Sequence, residues 1–451
     1  MTTRRRLLVA WAGVVTASMA ACGGGGSQSS ATEPTGITPD PSPVPPPPAP
    51  APGPLSPPSP PPAPTPPAPP PPPPPPPDPP ISVTGGTFRQ LGTQNFVDFL
   101  NTIRTASAQG LDGANDRLLG PAGLWAFCGS TIWRNKISLG AAGGHGDAFD
   151  DGHYAQDLGT GNWEVLLPCS AEASGGAIAD TYGEWTPGAQ RPASQHTFFH
   201  LITVGDDLML PISGAIGFAA SRSGQGHRWT GSLNGGAGAW ERYGNNHIFT
   251  PEPRYCHYDA SRNRIVRIPL SFNSTISTIP ANDSTASWTD HGVRAWPYTE
   301  IFQSIGYHEQ LDCYVMVDQH QVTTRNRAWV LNPDDLATGW VEVAVRGSTP
   351  DLLSCGLEYV PPMRAFASAS TYEPTRLYYL QPTGGRFGAW AWSTELFTGS
   401  VTAAPWEATS GSALNPQSRM RWSSSLRGLV LLKAPYAPTE IFTPSQVAGL
   451  Q

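Results

Sequence analysis

The chain has 451 residues, a formal net charge of −7, only 14% charged residues, 51 prolines and 48 glycines. The negative balance excludes nucleic acid as a partner, because neutralising phosphates requires a basic face. Scarce charge with abundant Gly, Trp and Tyr excludes a helical bundle and points to short strands and turns.

Proline is unevenly placed: 30 of the 51 lie at or before position 80. Residues 1–21 form an export signal. Arg4, Arg5 and Arg6 make a positive start, Leu7 to Ala17 an apolar stretch too short to span a bilayer, and Ser18-Met19-Ala20-Ala21 a small-residue cleavage region. Cys22 follows directly, then Gly23-Gly24-Gly25-Gly26-Ser27. This run resembles a bacterial lipobox, which implies that Cys22 is acylated and anchors the protein to a membrane; ordinary cleavage with Cys22 incidental is the alternative. Thr3-Arg4-Arg5-Arg6-Leu7-Leu8 also resembles a twin-arginine signal, so the choice between unfolded and folded export stays open. Residues 22–83 are a Gly/Ser and then Pro-rich linker. Pro69 to Pro77 is unbroken, and at the polyproline II rise residues 34–80 extend on the order of 100 Å or more. Such a segment has too little apolar surface to fold, so it is expected to be a disordered tether.

Residues 84–451 read as one all-β domain. The first well-formed unit opens at Gly143-Gly144-His145-Gly146-Asp147, continues into a strand from His153 to Leu158, turns at Gly159-Thr160-Gly161-Asn162 and enters a strand from Trp163 to Leu167. Further strand pairs are anchored at Gln195–Phe199, Tyr255–Asp259, Ile305–His308, Ala369–Tyr372 and Trp422–Ser425. They lead to apolar strands at Leu208–Leu210, Ile265–Val266, Tyr314–Val317, Leu377–Leu380 and Leu429–Leu432. The spacing between anchors, roughly 50–65 residues, suits four-stranded propeller blades. Six units are visible, and the long intervals leave room for a seventh. The last unit has only three strands of its own, ending at Thr439–Phe442, so Gly86–Leu91 is expected to supply the fourth and remove an exposed edge. Between that strand and the first unit, Phe96, Phe99, Leu100 and Ile103 have the spacing of a short amphipathic helix.

The double glycine, Tyr154 and Trp163 together resemble the kelch and galactose-oxidase-like propellers of bacteria. That resemblance implies a β-propeller built of kelch repeats, in a superfamily that holds binding modules, sialic-acid handling proteins and copper-radical oxidases. Fold does not choose among these. The copper site of the oxidases implies two tyrosines, two histidines and a cysteine joined to one of the tyrosines. Here Tyr307-His308 is an adjacent pair of that kind, so copper is an alternative cofactor and an oxidase or carbohydrate-active enzyme an alternative activity. His145, Asp147, Asp150, Asp151 and His153 form the densest His/carboxylate cluster, weighed against bonding within the turn. Asp290, Glu300, Glu309 and Asp318 are carboxylates without distinguishing spacing.

Arginine outnumbers lysine heavily, since only Lys136 and Lys433 are lysines among 27 basic residues. Arg191, Arg254, Arg364 and Arg419 are read as preceding the first strands of their units, which would gather them around one mouth of a propeller. With Trp296, Tyr298 and Trp422 as stacking faces they would bind an acidic or carbohydrate ligand, unless each ties neighbouring blade carbonyls instead. Five cysteines lie in the domain; Cys128–Cys169 and Cys313–Cys355 are candidate disulfides, with buried free thiols the alternative. No cofactor is required by any motif. The function expected is an envelope-anchored binding or scaffolding module for a protein or glycan, attached to the membrane through its lipid and exported to the periplasm or cell surface.

Overall fold

The structure is a computed structural model. It describes residues 86–106, 129–140, 152–168, 192, 201–210, 226–230, 238–244, 253–269, 275–293, 304–317, 327–347, 356–369, 376–396, 419–434 and 436–448. Within them the chain begins with strand β1 (Thr87–Leu91) and helix α1 (Phe96–Ala106), and all further structure is β apart from short helical turns, among them α2 (Ser445–Ala448) near the C-terminus.

The strands form four-stranded antiparallel units in sequence order. Unit 1 is β2 (Ser130–Trp133), β3 (Lys136–Gly140), β4 (His153–Asp157) and β5 (Trp163–Leu167). Unit 2 is β6 (Ile202–Val204), β7 (Asp207–Leu210), β8 (Gly226–Thr230) and β9 (Ala239–Tyr243). Unit 3 is β10 (Pro253–Asp259), β11 (Arg264–Pro269), β12 (Thr275–Pro280) and β13 (Thr289–Val293). Unit 4 is β14 (Ser304–His308), β15 (Cys313–Val317), β16 (Arg327–Leu331) and β17 (Trp340–Arg346). Unit 5 is β18 (Glu358–Val360), β19 (Ala365–Ala369), β20 (Arg376–Pro382) and β21 (Trp390–Leu396). Units 4 and 5 join into one eight-stranded sheet through a short parallel pairing of β17 with β21, Val345 opposite Trp390. Unit 6 takes β22 (Met420–Ser423), β23 (Gly428–Leu431) and β24 (Thr439–Thr443) from the end of the chain. Its fourth strand is β1, which pairs in full register from Thr87 opposite Thr443 to Leu91 opposite Thr439.

Each unit is apolar on both faces, so each must be covered on both sides. One buried cluster fills each interface. Trp133, Leu208 and Trp229 lie between units 1 and 2, and Tyr243, Cys256, Ile265 and Ile279 between 2 and 3. Val266, Tyr314 and Trp329 lie between 3 and 4, and Val315, Val330, Phe366 and Trp390 between 4 and 5. Val360, Tyr379, Leu431 and Phe442 lie between 5 and 6, and Ile137, Tyr154, Val430 and Ile441 between 6 and 1. Burying a side chain of this kind contributes about 1.5–3 kcal/mol, and the succession returns to its start. The first strands touch in the same order, β2 with β6, β6 with β10, β14 with β18, β18 with β22 and β22 with β2. The arrangement is propeller-like.

Tyr154 and Trp163 take the places expected of layer-filling aromatics, 2% and 7% exposed. They do so as members of the third and fourth strands of unit 1, under α1. That helix starts at Asn95, whose Oδ1 accepts the Asp98 N–H at 2.8 Å. Its Phe96 ring meets Trp163 at 4.8 Å and Tyr154 at 5.7 Å. After β1 the chain passes so close to unit 1 that a Cβ on Gly92 would come within 2.5 Å of the Gly161 carbonyl oxygen. Both glycines have positive φ, +70° and +76°.

Two expectations change here. The anchor at Ala369–Tyr372 is not a first strand: Ala369 ends β19, residues 370–372 lie outside the described residues, and the first strand of unit 5 is the three-residue β18. Cys313 is a buried free thiol, as is Cys256, so Cys313 is not bridged to Cys355; Cys128, Cys169 and Cys355 lie outside the described residues, as do the glycines from Gly143 to Gly146.

The two ends of the sheets differ. At one end the first and second strands are joined by tight turns, 134–135, 205–206, 260–263, 309–312, 361–364 and 424–427. Every one of these turns contains a left-handed residue: Arg134 and Asn135, Gly205, Asn263, Asp312, Arg364 and Arg427. At the other end lie the connections between second and third strands and between units, including 141–152, 168–201, 211–225 and 397–419. Deleting residues 86–91 should expose the β24 edge, lower Tm by on the order of 10 °C and promote association, read by calorimetry and size-exclusion chromatography. An unchanged Tm would mean that β1 is dispensable.

Candidate ligand-binding end

Because each first strand starts at the end with the long connections, its opening residues surround the axis there. Glu358 opens β18, Arg421 is the second residue of β22 and Ser130 opens β2. Glu358 accepts the Trp422 backbone N–H at 2.8 Å and an Arg421 Nη1–H at 2.9 Å, on its two different oxygens. Arg421 turns its Nε–H to the Ser130 carbonyl of the next unit at 2.7 Å. One ion pair therefore ties units 5, 6 and 1 through their innermost edges, where backbone groups have no further strand to pair with. The pair is not sealed: the side chains are 18% and 17% exposed. Burial lifts the Glu358 carboxyl above its usual range, against the opposing pull of Arg421 and the Trp422 N–H. Tyr255 of β10 lies within electrostatic reach of both Arg421 and Glu358, and burial pushes its hydroxyl far above the usual value.

Arg364 does not join the other residues expected to form an arginine mouth. Arg364 lies in the tight turn between β18 and β19, at the opposite end from Arg254 and Arg419. The cause is the misplaced first strand of unit 5, which moved Arg364 from a position before a first strand to one after it. Arg419 immediately precedes β22 but is 1% exposed, with its carbonyl accepting the Leu432 N–H at 2.9 Å. Arg254 has its backbone in β10 at the long-connection end, and its side chain lies outside the described residues. Arg191, Trp296, Tyr298 and Cys22 also lie outside them. Trp422 packs against the layer between units 5 and 6 and contributes its N–H, rather than an open ring, to the axial pair. The residue that sequence reasoning passed over is Arg421, flanked by Met420 and Trp422, which both turn to the opposite face.

Tyr307 and His308 do not make a shared ligand pair, since neighbours on a strand project to opposite faces. The Tyr307 hydroxyl donates to Asp312 at 2.6 Å on the side of units 3 and 4. His308 faces unit 5, its Nε2–H donating to the Arg364 carbonyl at 3.1 Å while Nδ1 accepts the Leu311 N–H at 3.1 Å. Both ring nitrogens are thus held by backbone. His153 is fully buried between Trp229 and Trp240, with Nε2 and the Ser138 hydroxyl 2.6 Å apart. Burial lowers its pKa to about 3, which suits a packing role. His145, Asp147, Asp150 and Asp151 lie outside the described residues. Among the described residues no three His, Cys, Asp or Glu side chains gather in a metal-holding group. Asp290 accepts the Ser277 hydroxyl at 2.6 Å, Glu309 is exposed in a tight turn, and Glu300 and Asp318 lie outside the described residues.

At the short-turn end a charged knot joins three units. Arg262 meets Asp259, Asp312 and Asp334, and Arg386 reaches over from unit 5 to the Leu311 carbonyl at 3.0 Å. Burial works against the charge on Asp312, yet hydrogen bonds from Arg262 and Tyr307 hold its carboxyl below the usual range.

No family model matches the chain, and no curated protein matches it either. Among solved structures it is similar to a structural genomics protein of unknown function from Bacteroides thetaiotaomicron, at 11% identity over 70% of this chain and 69% of that one, TM-score 0.42. It is also similar to a fungal alcohol oxidase of the AA5 family in complex with copper, at 10% identity, 57% and 48% coverage, TM-score 0.32; the chain spans about half of that oxidase. The major Malassezia sympodialis allergen Mala s 1 matches at 7% identity, 71% and 92% coverage, TM-score 0.40.

Glu358→Ala should destabilise the protein by about 2–4 kcal/mol, because Arg421 and an inner-edge N–H lose their acceptor. In a denaturation cycle Arg421→Ala with Glu358→Ala should cost less than the sum of the two; additive losses would deny the pair. Stability should also fall as pH drops from about 6.5 toward about 3, where unfolded histidine takes up a proton that buried His153 refuses. His257, lowered to about 4 mainly by burial, adds in the same direction. His153→Gln should flatten the Tm profile between pH 7 and pH 4.

Proposed function

We propose that this chain is an exported, lipid-anchored, six-bladed kelch-type propeller, residues 84–451, that binds a protein or glycan at its long-connection end. The observation that carries this is the asymmetry of the two ends. Tight first-to-second strand turns lie at one end, while the longest connections leave from the other, where the part-exposed Arg421–Glu358 pair lies. A rigid scaffold that gathers its long loops on one side is the usual architecture of a recognition surface. A part-exposed arginine–carboxylate pair supplies forked donors and acceptors of the kind that sugar hydroxyls and peptide groups meet. Arg254, Trp296 and Tyr298 fall in or beside those connections in sequence, and the proposal assigns them the same binding role; Cys22 supplies the anchor and the Pro-rich linker the reach.

The test is a screen of the purified full chain against an array of neutral and acidic oligosaccharides, followed by calorimetric titration of the best binder. Trp296→Ala or Tyr298→Ala should weaken binding by about tenfold or more, while Arg364→Ala, at the other end, should leave it unchanged. Metal analysis of the same preparation provides the opposing outcome. Stoichiometric copper, or a loss of binding confined to Arg364→Ala, would overturn the proposal.

A further inference from the structure

Three of the six tight turns place arginine in or beside the left-handed conformation: Arg134 at φ 46°, Arg364 at 51° and Arg427 at 50°. Left-handed backbone disfavours any residue with a Cβ, and asparagine or glycine would hold these positions at less cost, as Asn263 and Gly205 do in units 3 and 2. All three arginines are exposed. They are not scattered round the ring: they belong to units 5, 6 and 1, which are consecutive neighbours. Of the remaining turns, that of unit 2 carries Asp206 and that of unit 4 carries Glu309 and Asp312, with Asp334 and Asp335 beside the latter, while that of unit 3 carries Arg262, whose charge is taken up by Asp259, Asp312 and Asp334. Within the basic sector the charges are partly balanced. Asp207 lies within electrostatic reach of Arg134, Glu309 and Arg364 both lie near Tyr359, and Lys136 is paired with Glu164.

The chain N-terminal to the fold joins at this same end and in the middle of this same sector. β1 starts beside the C-terminal residue of β24, Thr87 opposite Thr443. A Cβ on Gly428, the residue after Arg427, would lie 3.3 Å from the Thr443 hydroxyl, and one on Gly86 would lie 2.7 Å from the Thr443 carbonyl oxygen. Gly86 is fixed there by donating its N–H to Glu395 at 2.8 Å, a carboxylate that also accepts the Ser445 N–H and the Tyr379 hydroxyl. The linker therefore leads into unit 6, next to the Arg427 turn and between the units that carry Arg364 and Arg134.

We propose that the short-turn end of units 5, 6 and 1 docks on an anionic lipid surface, the bilayer to which Cys22 tethers the protein, through Arg134, Arg364 and Arg427. This rests on the lipid-anchor reading, and it deepens it. Docking would turn the acidic turns of units 2 and 4 away from the headgroups and hold the long-connection end outward, toward its ligand. Each basic group near an anionic bilayer contributes several-fold to partitioning, and tethering raises the effective concentration of the surface.

The experiment is vesicle flotation of the full chain carrying Cys22→Ser, at about 0.1 M salt. Vesicles of phosphatidylcholine alone are compared with vesicles containing about 30% phosphatidylglycerol. Uptake by the signal segment is common to the variants, so the informative quantity is the change produced by Arg134→Asn, Arg364→Asn and Arg427→Asn together. Asparagine accepts the left-handed turn, so the triple variant should keep or raise its Tm. It should lower partitioning to the anionic vesicles on the order of 100-fold and leave phosphatidylcholine binding unaltered. Equal binding of the triple variant and its parent to the anionic vesicles would overturn the docking. The anchor is read separately, by palmitate labelling of the wild-type chain. Absence of label that Cys22→Ser should abolish would sink the anchor alone, whatever the vesicles show.

Discussion

A β-sheet that is apolar on both faces cannot exist alone in water, and that constraint governs this protein. Each unit buries one face against the unit before it and the other against the unit after it, so no unit can be the last. The chain meets this by sending β1 back to pair with β24 and by packing unit 6 on unit 1 through Ile137, Val430 and Ile441. Gly92 and Gly161 let the two backbones touch where the seam closes. The closure also accounts for the polar groups near the axis. Inner strands have one edge without a neighbour, and Glu358 and Arg421 satisfy the Trp422 N–H and the Ser130 carbonyl there. The ion pair sits where three units meet, which is why its worth lies in geometry as much as in charge.

From that scaffold the two ends acquire different roles. First-to-second strand turns are short because antiparallel neighbours need only a few residues to reverse, and a left-handed residue in each sets the reversal. The connections from second to third strands and between units leave from the opposite end, and they include the longest segments, 168–201 and 397–419. The proposal for ligand binding places recognition on those connections. The proposal for lipid docking places the membrane at the turns, where the linker joins. Both follow from one topological fact, and they assign the molecule an inner and an outer side relative to its anchor.

Much of this was legible in the sequence. The strands at Tyr255–Asp259, Ile305–His308, Trp422–Ser423 and Leu429–Leu431 stand out because they alternate or run apolar between turn residues, and the missing fourth strand of the last unit pointed to Gly86–Leu91. The amphipathic spacing of Phe96, Phe99 and Leu100 gave α1. What failed was short or non-local. β18 is three residues followed by Pro361 and Pro362, too brief to register, and its loss carried Arg364 to the wrong end. Arg421 and Glu358 are 63 residues apart, and no local pattern announces a partner at that distance. Tyr307-His308 looked like a ligand pair because adjacency in sequence hides the alternation of a strand. The left-handed arginines were invisible, since composition reads arginine as solvated charge and not as a backbone conformation.

The central claim is that the first and last strands close the structure as one cooperative ring. Native-state hydrogen exchange measures this directly, by comparing the amides of the β1–β24 pair with those of β10–β11 in the middle of the chain. A closed ring predicts that both sets exchange only through global unfolding, with the same opening free energy and the same denaturant dependence. Exchange of β1 and β24 through a smaller, separate opening, with β10 and β11 still protected, would contradict it.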